Sequence, residues 1–252
     1  MITLYGMSSP NVRKVLIALE EMGLEYEVEH VAVFRGRHFE PEFLALNPMA
    51  KVPVILDPDG PAGSGPIFES GAILIYLAES YGAQFLPASG PERYSALKWL
   101  FMQVANVGPA IGNHNHFSRI HEDNAYAATR FRRMTAQVFR ALDTRLAETP
   151  YLGGEAYSIA DMAAWPWGKR FRRFGMKDEE CPHLVEWVDR IGRRPAIAKA
   201  DAAIKQLGEL DSQDVRKATP EETAMFMGHH IAAPSAEEAG RLPSWWKGRR
   251  EA

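Results

Sequence analysis

Residues 1–23, MITLYGMSSPNVRKVLIALEEMG, contain the patterns of a strand, a turn and a helix in close succession. The run from Ile2 to Tyr5 is rich in β-forming side chains. From Asn11 onward the apolar residues recur every three or four positions, which is the period of an amphipathic helix. Gly23 follows the last of them, at the place where a glycine commonly ends a helix. This stretch therefore predicts a β-α opening unit.

The residues that follow continue the alternation of strands and helices. Residues 26–33 alternate between apolar and polar side chains and predict a second strand, and residues 38–46 predict a short helix. Residues 52–56 and 66–68 are predicted strands, and residues 69–81 a further helix. The order β-α-β-α-β-β-α predicts a sheet covered by helices, with the last two strands forming a hairpin.

Strand patterns stop after Pro87, and amphipathic helices follow. Periodic apolar positions predict them over residues 94–104, 131–146, 159–167, 185–191 and 197–207. Gly108-Pro109 is expected to kink or interrupt the first of these helices. Ser158 and Asp161 have the spacing of a capping box at the start of the third. The second half of the chain is therefore predicted to be all-helical.

These patterns divide the chain into four parts. Residues 1–84 form the predicted α/β domain, residues 85–90 a linker, residues 91–208 the all-helical domain and residues 209–252 a tail. The tail is charged and rich in alanine, and we expect it to be partly helical. Thr219 and Ser235 each begin a pattern typical of a helix start.

The composition excludes several classes of protein. The chain has 252 residues, with 29 Lys and Arg against 32 Asp and Glu, and this balance argues against a protein that coats nucleic acid. No stretch approaches ~18 apolar residues, so no membrane partner is expected, and the N-terminus lacks the pattern of a signal peptide. A cytoplasmic protein is the expectation. The single cysteine, Cys181, supplies neither an internal disulfide nor a CxxC pair.

Short motifs occur in both domains. In the α/β domain they are Ser8-Ser9-Pro10-Asn11, Asn47-Pro48-Met49-Ala50-Lys51-Val52-Pro53 and Phe68-Glu69-Ser70-Gly71-Ala72-Ile73, and in the helical domain residues 99–104, 112–117, 151–155 and 157–167. Together they resemble the glutathione transferase superfamily over about residues 2–208. Within it the resemblance is closest to the bacterial Nu-class, described as glutathione-dependent disulfide-bond oxidoreductases.

The resemblance implies the fold and the partners. It implies an α/β plus all-α architecture, in which a thioredoxin-like N-terminal domain precedes an all-helical glutathione-transferase domain. It also implies a homodimer with two active sites near the interface. Glutathione is the implied co-substrate, together with a small electrophilic or disulfide partner.

The first motif supplies the residues expected at the glutathione sulfur. A thiol with an ordinary pKa of ~8.5 needs hydrogen-bond donors that favour its thiolate. Ser9 and Asn11 lie at the predicted start of the first helix, where free N–H groups also favour an anion. The resemblance implies that both are catalytic; Ser9 replaces the threonine usual in the family and keeps the hydroxyl. Ser8 is an alternative, and so is a plain helix cap with proline at its first position.

The other two motifs of the α/β domain are implied to bind the rest of glutathione. In the family, the residue before a cis-proline offers its backbone to the cysteinyl part, which assigns Lys51, Val52 and Pro53 to the site. Glu69 and Ser70 open a helix and suit the α-ammonium and α-carboxylate of the γ-glutamyl end. A turn proline and an ordinary helix cap are the structural alternatives.

Two more positions are implied by the resemblance. His38 stands where relatives commonly have a glutamine for the glycyl carboxylate, and a surface histidine is the alternative. Arg130 matches an arginine that contacts glutathione in relatives. Arg132 and Arg133 are its competitors, and a solvated helix face is the structural alternative.

Three further features attract no catalytic or metal assignment. The histidines at 114, 116 and 121 lack the i,i+4 spacing and the carboxylate or cysteine partners of a metal site, so no metal is predicted. Lining of the substrate pocket or the interface, and plain polar structure, are the alternatives for them. The basic run at residues 169–173 is too short for nucleic-acid binding in a nearly neutral chain, and a solvated helix face is predicted. Cys181 is expected to be structural.

The main hypothesis is a glutathione-dependent reductase of small disulfides. Ser9 and Asn11 would hold the glutathione sulfur, and exchange between bound small thiols would need no protein cysteine. One rival is conjugation or lyase chemistry on an electrophilic or aryl-ether substrate. The other is glutathione binding without catalysis, since a fold does not fix a function.

Overall fold

A computed structural model of the chain describes residues 1–63, 65–119 and 124–228. Its first part contains a four-stranded sheet with the strand order β2-β1-β3-β4. The strands are β1 (Ile2–Gly6), β2 (Tyr26–His30), β3 (Val54–Leu56) and β4 (Ile67–Phe68). β1 runs parallel to β2 and antiparallel to β3, and β3 and β4 form an antiparallel pair. The predicted pairing of the last two strands is therefore confirmed.

Three helices accompany the sheet. They are α1 (Pro10–Glu21), α2 (Pro41–Leu46) and α3 (Ser70–Tyr81), and 3₁₀ turns at Val33–Arg35 and Arg37–Phe39 precede α2. The predicted order of strands and helices is confirmed. Pro10 and Pro41 occupy the first turns of α1 and α2, where a missing N–H costs no helical hydrogen bond.

The second part forms helices and, among the described residues, no strand. It comprises α4 (Gly90–Met102), α5 (Gly108–Phe117), α6 (Ala125–Glu148), α7 (Ile159–Gly168), α8 (Pro182–Gly192) and α9 (Pro195–Lys217). The capping box at the start of α7 is confirmed, with Ser158 and Asp161 satisfying each other's backbone N–H groups.

The expected interruption at Gly108-Pro109 takes an unforeseen form. A π-helical segment, Gln103–Val107, joins α4 directly to α5. Proline brings no N–H and crowds the carbonyl four residues before it, and a wider turn relieves that crowding. The helix therefore continues through the proline instead of ending at a loop.

The predicted domain end at residue 208 falls inside α9, which continues to Lys217. The charged residues after Gly208 have the composition of the predicted tail, but the inward face of the helix extends to Asp211, which is buried. One more helix follows, α10 (Pro220–Met227), and Thr219 caps it as predicted. The predicted helix start at Ser235 lies outside the described residues.

α1 joins the two parts of the molecule. It contacts α3 in the first part and both α7 and α9 in the second. One apolar cluster, extending from Ile2 to Leu207, runs through both parts. α1 is therefore buried on nearly all sides, and Lys14 is buried with it. Within residues 1–63, 65–119 and 124–228, no helix is both long and apolar enough to span a membrane.

Candidate functional site

A cleft of about 450 Å³ opens beside the N-terminus of α1. Its walls come from the turn between β1 and α1, the 3₁₀ region after β2, the loop before β3, and α10. The cleft brings together five of the predicted site residues: Ser9, Asn11, His38, Lys51 and Val52.

Ser9 is the N-cap of α1, and its Oγ accepts a hydrogen bond from the N–H of Val12 at 3.2 Å. The cap and the catalytic role are compatible, because a hydroxyl that accepts one bond still has its own hydrogen to donate. The first N–H groups and the dipole of α1 favour negative charge at the same place. A thiolate beside Ser9 would meet an O–H donor and the positive end of a helix.

Ser8 is engaged elsewhere. Its N–H donates to Oδ2 of Asp211 at 2.8 Å, and its hydroxyl donates to the same oxygen. The other oxygen of Asp211 lies 2.9 Å from Nε2 of His30. Asp211 thus ties the β1–α1 turn and β2 to α9, and Ser9 is the serine of this motif that lines the cleft.

Trp167, in α7, fixes the orientation of the Asn11 amide. The indole N–H of Trp167 donates to Oδ1 of Asn11 at 3.3 Å. An indole can only donate, so the amide oxygen must face it. Within the described residues the NH₂ group of Asn11 makes no hydrogen bond, and it is left available to a ligand in the cleft.

The loop before β3 offers a free stretch of backbone. The Val52-Pro53 bond is cis, and Pro53 is buried while Lys51 is exposed. Neither the N–H nor the C=O of Val52 makes a hydrogen bond within the described part of the chain. Asn47 holds the loop in place by donating to the C=O of Lys51 at 2.7 Å and accepting from the N–H of Met49 at 3.0 Å. An extended ligand can pair with Val52 as an added strand.

Glu69 and Ser70 lie at the N-terminus of α3, outside the lining of the cleft. Glu69 is exposed and has a φ of 69°, a backbone conformation that costs a non-glycine residue about 1 to 3 kcal/mol. Ser70 is buried, and its Oγ lies 3.2 Å from Nζ of Lys14. The two adjacent residues therefore differ: Glu69 has a strained backbone and presents its carboxylate to solvent, whereas the hydroxyl of Ser70 is buried.

Lys14 links α1 to α3 and to the π-helical segment. Its Nζ donates to Oε1 of Gln103 at 2.6 Å, and both side chains are buried. Burial lowers the pKa of Lys14 to about 7, against the opposing charge of Glu69. The amine behind Ser70 therefore changes charge near neutral pH.

The structure separates the two remaining predicted residues. His38 is buried at the cleft and its ring centroid lies 4.0 Å from that of Phe39, so the alternative of a surface histidine is wrong. Arg130 lies on α6 in a different pocket, which Tyr126 and Arg133 also line. A single chain does not bring Arg130 to the cleft.

α10 contributes Met225 and Phe226 to the cleft. The Phe226 ring lies 4.6 Å from that of Phe34, and Glu222 is 3.5 Å from Arg35. The described part of the predicted tail, through α10, thus packs on the 3₁₀ region after β2 and forms part of the candidate site.

The prediction of a solvated helix face at residues 169–173 is wrong for Phe171, which is fully buried, and for two of the four basic residues. Arg172 is exposed and pairs with Asp178 through bonds of 2.6 and 2.7 Å. Lys169 and Arg170 are half-buried and line a second pocket, beside Ser9. The run is not one helix: it begins at the end of α7 and continues into a 3₁₀ turn, so successive side chains face different surroundings.

Cys181 is fully buried, and burial together with Asp143 and Glu180 raises the pKa of its thiol to about 11. Such a thiol is a poor nucleophile at neutral pH. In the described ranges no group of His, Cys, Asp and Glu has the arrangement of a metal site. His121 lies outside the described residues.

The sequence analysis missed four residues that support Ser8, Asn11 and Ser70 directly or through one another: Lys14, Gln103, Trp167 and Asp211. A signal existed for the first, because residues 15–19 are apolar without a break and a helix that is apolar all round is a buried one. The other three act through contacts between segments far apart in the chain, for which the sequence gives no local signal.

Comparisons with known proteins agree with this architecture. Residues 8–80 match the family described as Glutathione S-transferase, N-terminal domain, and residues 125–190 match Glutathione S-transferase, C-terminal domain. The disulfide-bond oxidoreductase YfcG of Escherichia coli K12 is 41% identical over 203 residues, which are 79% of this chain and 94% of that protein.

Two solved structures are similar as well. A glutathione transferase family member from Pseudomonas fluorescens pf-5, with two glutathione bound, has 33% identity and a TM-score of 0.72 over 79% of this chain and 91% of its own. A glutathione transferase from Pseudomonas putida, with one glutathione disulfide per subunit, has 33% identity and a TM-score of 0.73 over 79% and 90%. Two family models match the two parts of the chain in this order, and the relatives are similar over most of its length. This protein therefore belongs to the glutathione S-transferase family.

Proposed function

We propose that this protein is a glutathione-dependent enzyme of Nu-class type that reduces small disulfides. The observation that carries the proposal is the pair of donors at the start of α1, the Ser9 hydroxyl and the Asn11 amide, with the amide oriented by Trp167. The names of the relatives support it, since YfcG is a disulfide-bond oxidoreductase and the Pseudomonas putida structure holds glutathione disulfide.

In this mechanism the two donors favour the thiolate of glutathione. The thiolate attacks one sulfur of the substrate disulfide, a new S–S bond forms, and the other sulfur leaves as a thiolate that takes up a proton. A second glutathione attacks the mixed disulfide in the same way. Two glutathiones are oxidised to glutathione disulfide, and one substrate disulfide is reduced to two thiols.

The remaining predicted residues would hold the peptide. The free backbone of Val52 suits the cysteinyl part, and Glu69 and Ser70 suit the charges of the γ-glutamyl end. His38 and Lys51 would face the glycyl carboxylate. These contacts would hold the glutathione thiol at the start of α1. Correct positioning of the reacting sulfur contributes more to the rate than tighter binding of the peptide does.

The test is the reduction of bis(2-hydroxyethyl) disulfide by glutathione. Asn11→Ala should lower kcat/KM about 10- to 100-fold, because a hydrogen bond to a charged group contributes about 1.5 to 3 kcal/mol. Cys181→Ala should retain activity. Loss of activity in Cys181→Ala, or far faster turnover of electrophiles than of disulfides, would overturn the proposal.

Two tryptophans of α7 give a matched control. Trp167→Phe removes the donor to Asn11 and should lower kcat/KM several-fold. Trp165 donates instead to the backbone C=O of Val188 at 3.0 Å, so Trp165→Phe should affect stability more than turnover. Equal kinetic effects of the two changes would show that the orientation of Asn11 is unimportant.

We also propose a homodimer. Arg130 lies away from the cleft of its own chain, so a contact with glutathione would have to come from a second subunit. Light scattering should give twice the mass of the chain. If the protein is a monomer, Arg130→Ala should leave the KM for glutathione unchanged.

A further inference from the structure

A second pocket, of about 180 Å³, lies on the other side of Ser9 between α1, α7 and α9. Ser9 lines both this pocket and the glutathione cleft. Its volume is well below the about 300 to 1,000 Å³ of sites that enclose a whole drug-sized ligand. It has room for one end of a small molecule whose reacting atoms lie at Ser9.

Three cationic side chains line this pocket: Arg13, Lys169 and Arg170. Asp201 is the one carboxylate that pairs with any of them among the described residues, at 3.4 Å from Arg13 and 3.3 Å from Lys169. Arg170 has no carboxylate partner in the described ranges. The pocket therefore has a surplus of two positive charges.

The surplus charge is held in surroundings that disfavour it. Burial lowers the pKa of Lys169 and of Arg170. Repulsion from Arg13 lowers the pKa of Lys169 further, against the opposing charge of Asp201. Repulsion from Arg173 and then from Arg13 lowers the pKa of Arg170 further. Burial also lowers the pKa of Arg13, against the opposing charge of Asp201. Half-buried like charges without enough counter-charge are costly, and a bound anion would remove that cost.

We propose that this pocket binds a carboxylate of the disulfide substrate and makes the enzyme selective for acidic disulfides. The inference rests on the proposed function, because it places the substrate sulfur at Ser9. Arg170 is the main contact, because it is the lining cation that pairs with no acid in the described part of the chain. A guanidinium can also hold a carboxylate through two bonds.

The test compares two disulfides of similar size and different charge. Dithiodiglycolate ends in two carboxylates and bis(2-hydroxyethyl) disulfide in two hydroxyls. The ratio of kcat/KM for the acidic to the neutral disulfide should fall about tenfold in Arg170→Gln, which corresponds to about 1.4 kcal/mol. Arg170→Lys keeps the charge but loses the two-bond contact, so its ratio should lie between those of the wild type and Arg170→Gln. An unchanged ratio in Arg170→Gln would refute the proposal.

Arg172→Gln is the matched control. It removes the same charge two residues away, but Arg172 is exposed and paired with Asp178 outside the pocket. The ratio of kcat/KM for the acidic to the neutral disulfide should be the same in Arg172→Gln as in the wild type. A fall as large as in Arg170→Gln would mean that net charge, and not this pocket, sets the selectivity.

Binding of an unreactive dicarboxylate separates this inference from the proposed function. Thiodiglycolate has one sulfur, cannot exchange, and can be titrated by calorimetry. Its Kd should rise with salt, as expected for ion pairing, and should be about tenfold higher in Arg170→Gln than in Arg172→Gln. If neither disulfide is reduced but this difference is found, the proposed function fails and the anion site stands. Equal Kd values in the two variants refute the site.

Discussion

Replacing Lys14 with methionine should remove a pH dependence of stability that this buried amine creates. Burial lowers the pKa of Lys14 from 10.5 to about 7 in the folded protein. Between these values the unfolded chain binds a proton that the folded chain does not, so the free energy of unfolding rises with pH. The destabilising contribution is full below about pH 7 and is lost as the pH approaches 10.5.

The size of the effect follows from the shift. Each pH unit within this window changes the free energy of unfolding by up to about 1.4 kcal/mol, so the wild type should gain about 2 kcal/mol between pH 7 and pH 9 relative to Lys14→Met. The methionine also leaves Gln103 without its donor, at a cost of about 1 to 3 kcal/mol that does not depend on pH. The difference in slope therefore isolates the amine.

Urea unfolding followed by tryptophan fluorescence at several pH values measures this difference. Lys98→Met, at an exposed position on α4, is the control and should keep the slope of the wild type. If Lys14→Met also keeps that slope, the amine is not titrating near neutral pH, and the account of its burial between α1, α3 and the π-helical segment is wrong.

Three further predictions concern residues that border or support the candidate site. Glu69→Gly should stabilise the fold by about 1 kcal/mol, because glycine adopts a φ of 69° without strain, and should raise the KM for glutathione; a loss of stability in thermal unfolding would contradict it. Asp211→Asn should cost about 2 to 4 kcal/mol, since one amide oxygen cannot accept all the bonds from Ser8 and His30, whereas Asp214→Asn should cost under about 1 kcal/mol in the same denaturant assay. Phe226→Ala should speed amide exchange in α10 while changing global stability by less than about 1 kcal/mol, because the residue is 42% exposed.

Local patterns predicted most of the fold. The alternation over the first strands, the apolar period of α1, the capping box at Ser158 and the helix start at Thr219 each depend on neighbouring residues, and the structure has them all. The boundary at residue 208 failed because composition changes there before the buried face of α9 ends. The end of such a helix depends on which residues a distant segment buries, and the local composition does not reveal that burial.

The sequence predicted which residues of the first domain belong to the site, but not the contacts that the second part of the chain makes with them. One cleft brings together five residues that the family resemblance assigned, because each stands at a turn or an element end of the first domain: Ser9, Asn11, His38, Lys51 and Val52. Which serine faces the cleft depends on Asp211, which binds Ser8 and leaves Ser9 at the cleft. Which way the side chains of Lys169 and Arg170 point depends on the path of the chain after the end of α7. Only the packing of the second part against the first determines these features.

The bonds between Ser8 and Asp211 join residues 203 positions apart, and this separation bears on how the protein folds. Contacts that close so long a loop are slow to form, so the turn that carries Ser9 should reach its final position only once α9 has docked. Residues 1–84 alone would expose the faces of α1 that α7 and α9 cover. The two family domains should therefore unfold in a single cooperative transition, and activity should return on refolding no earlier than the helical part assembles.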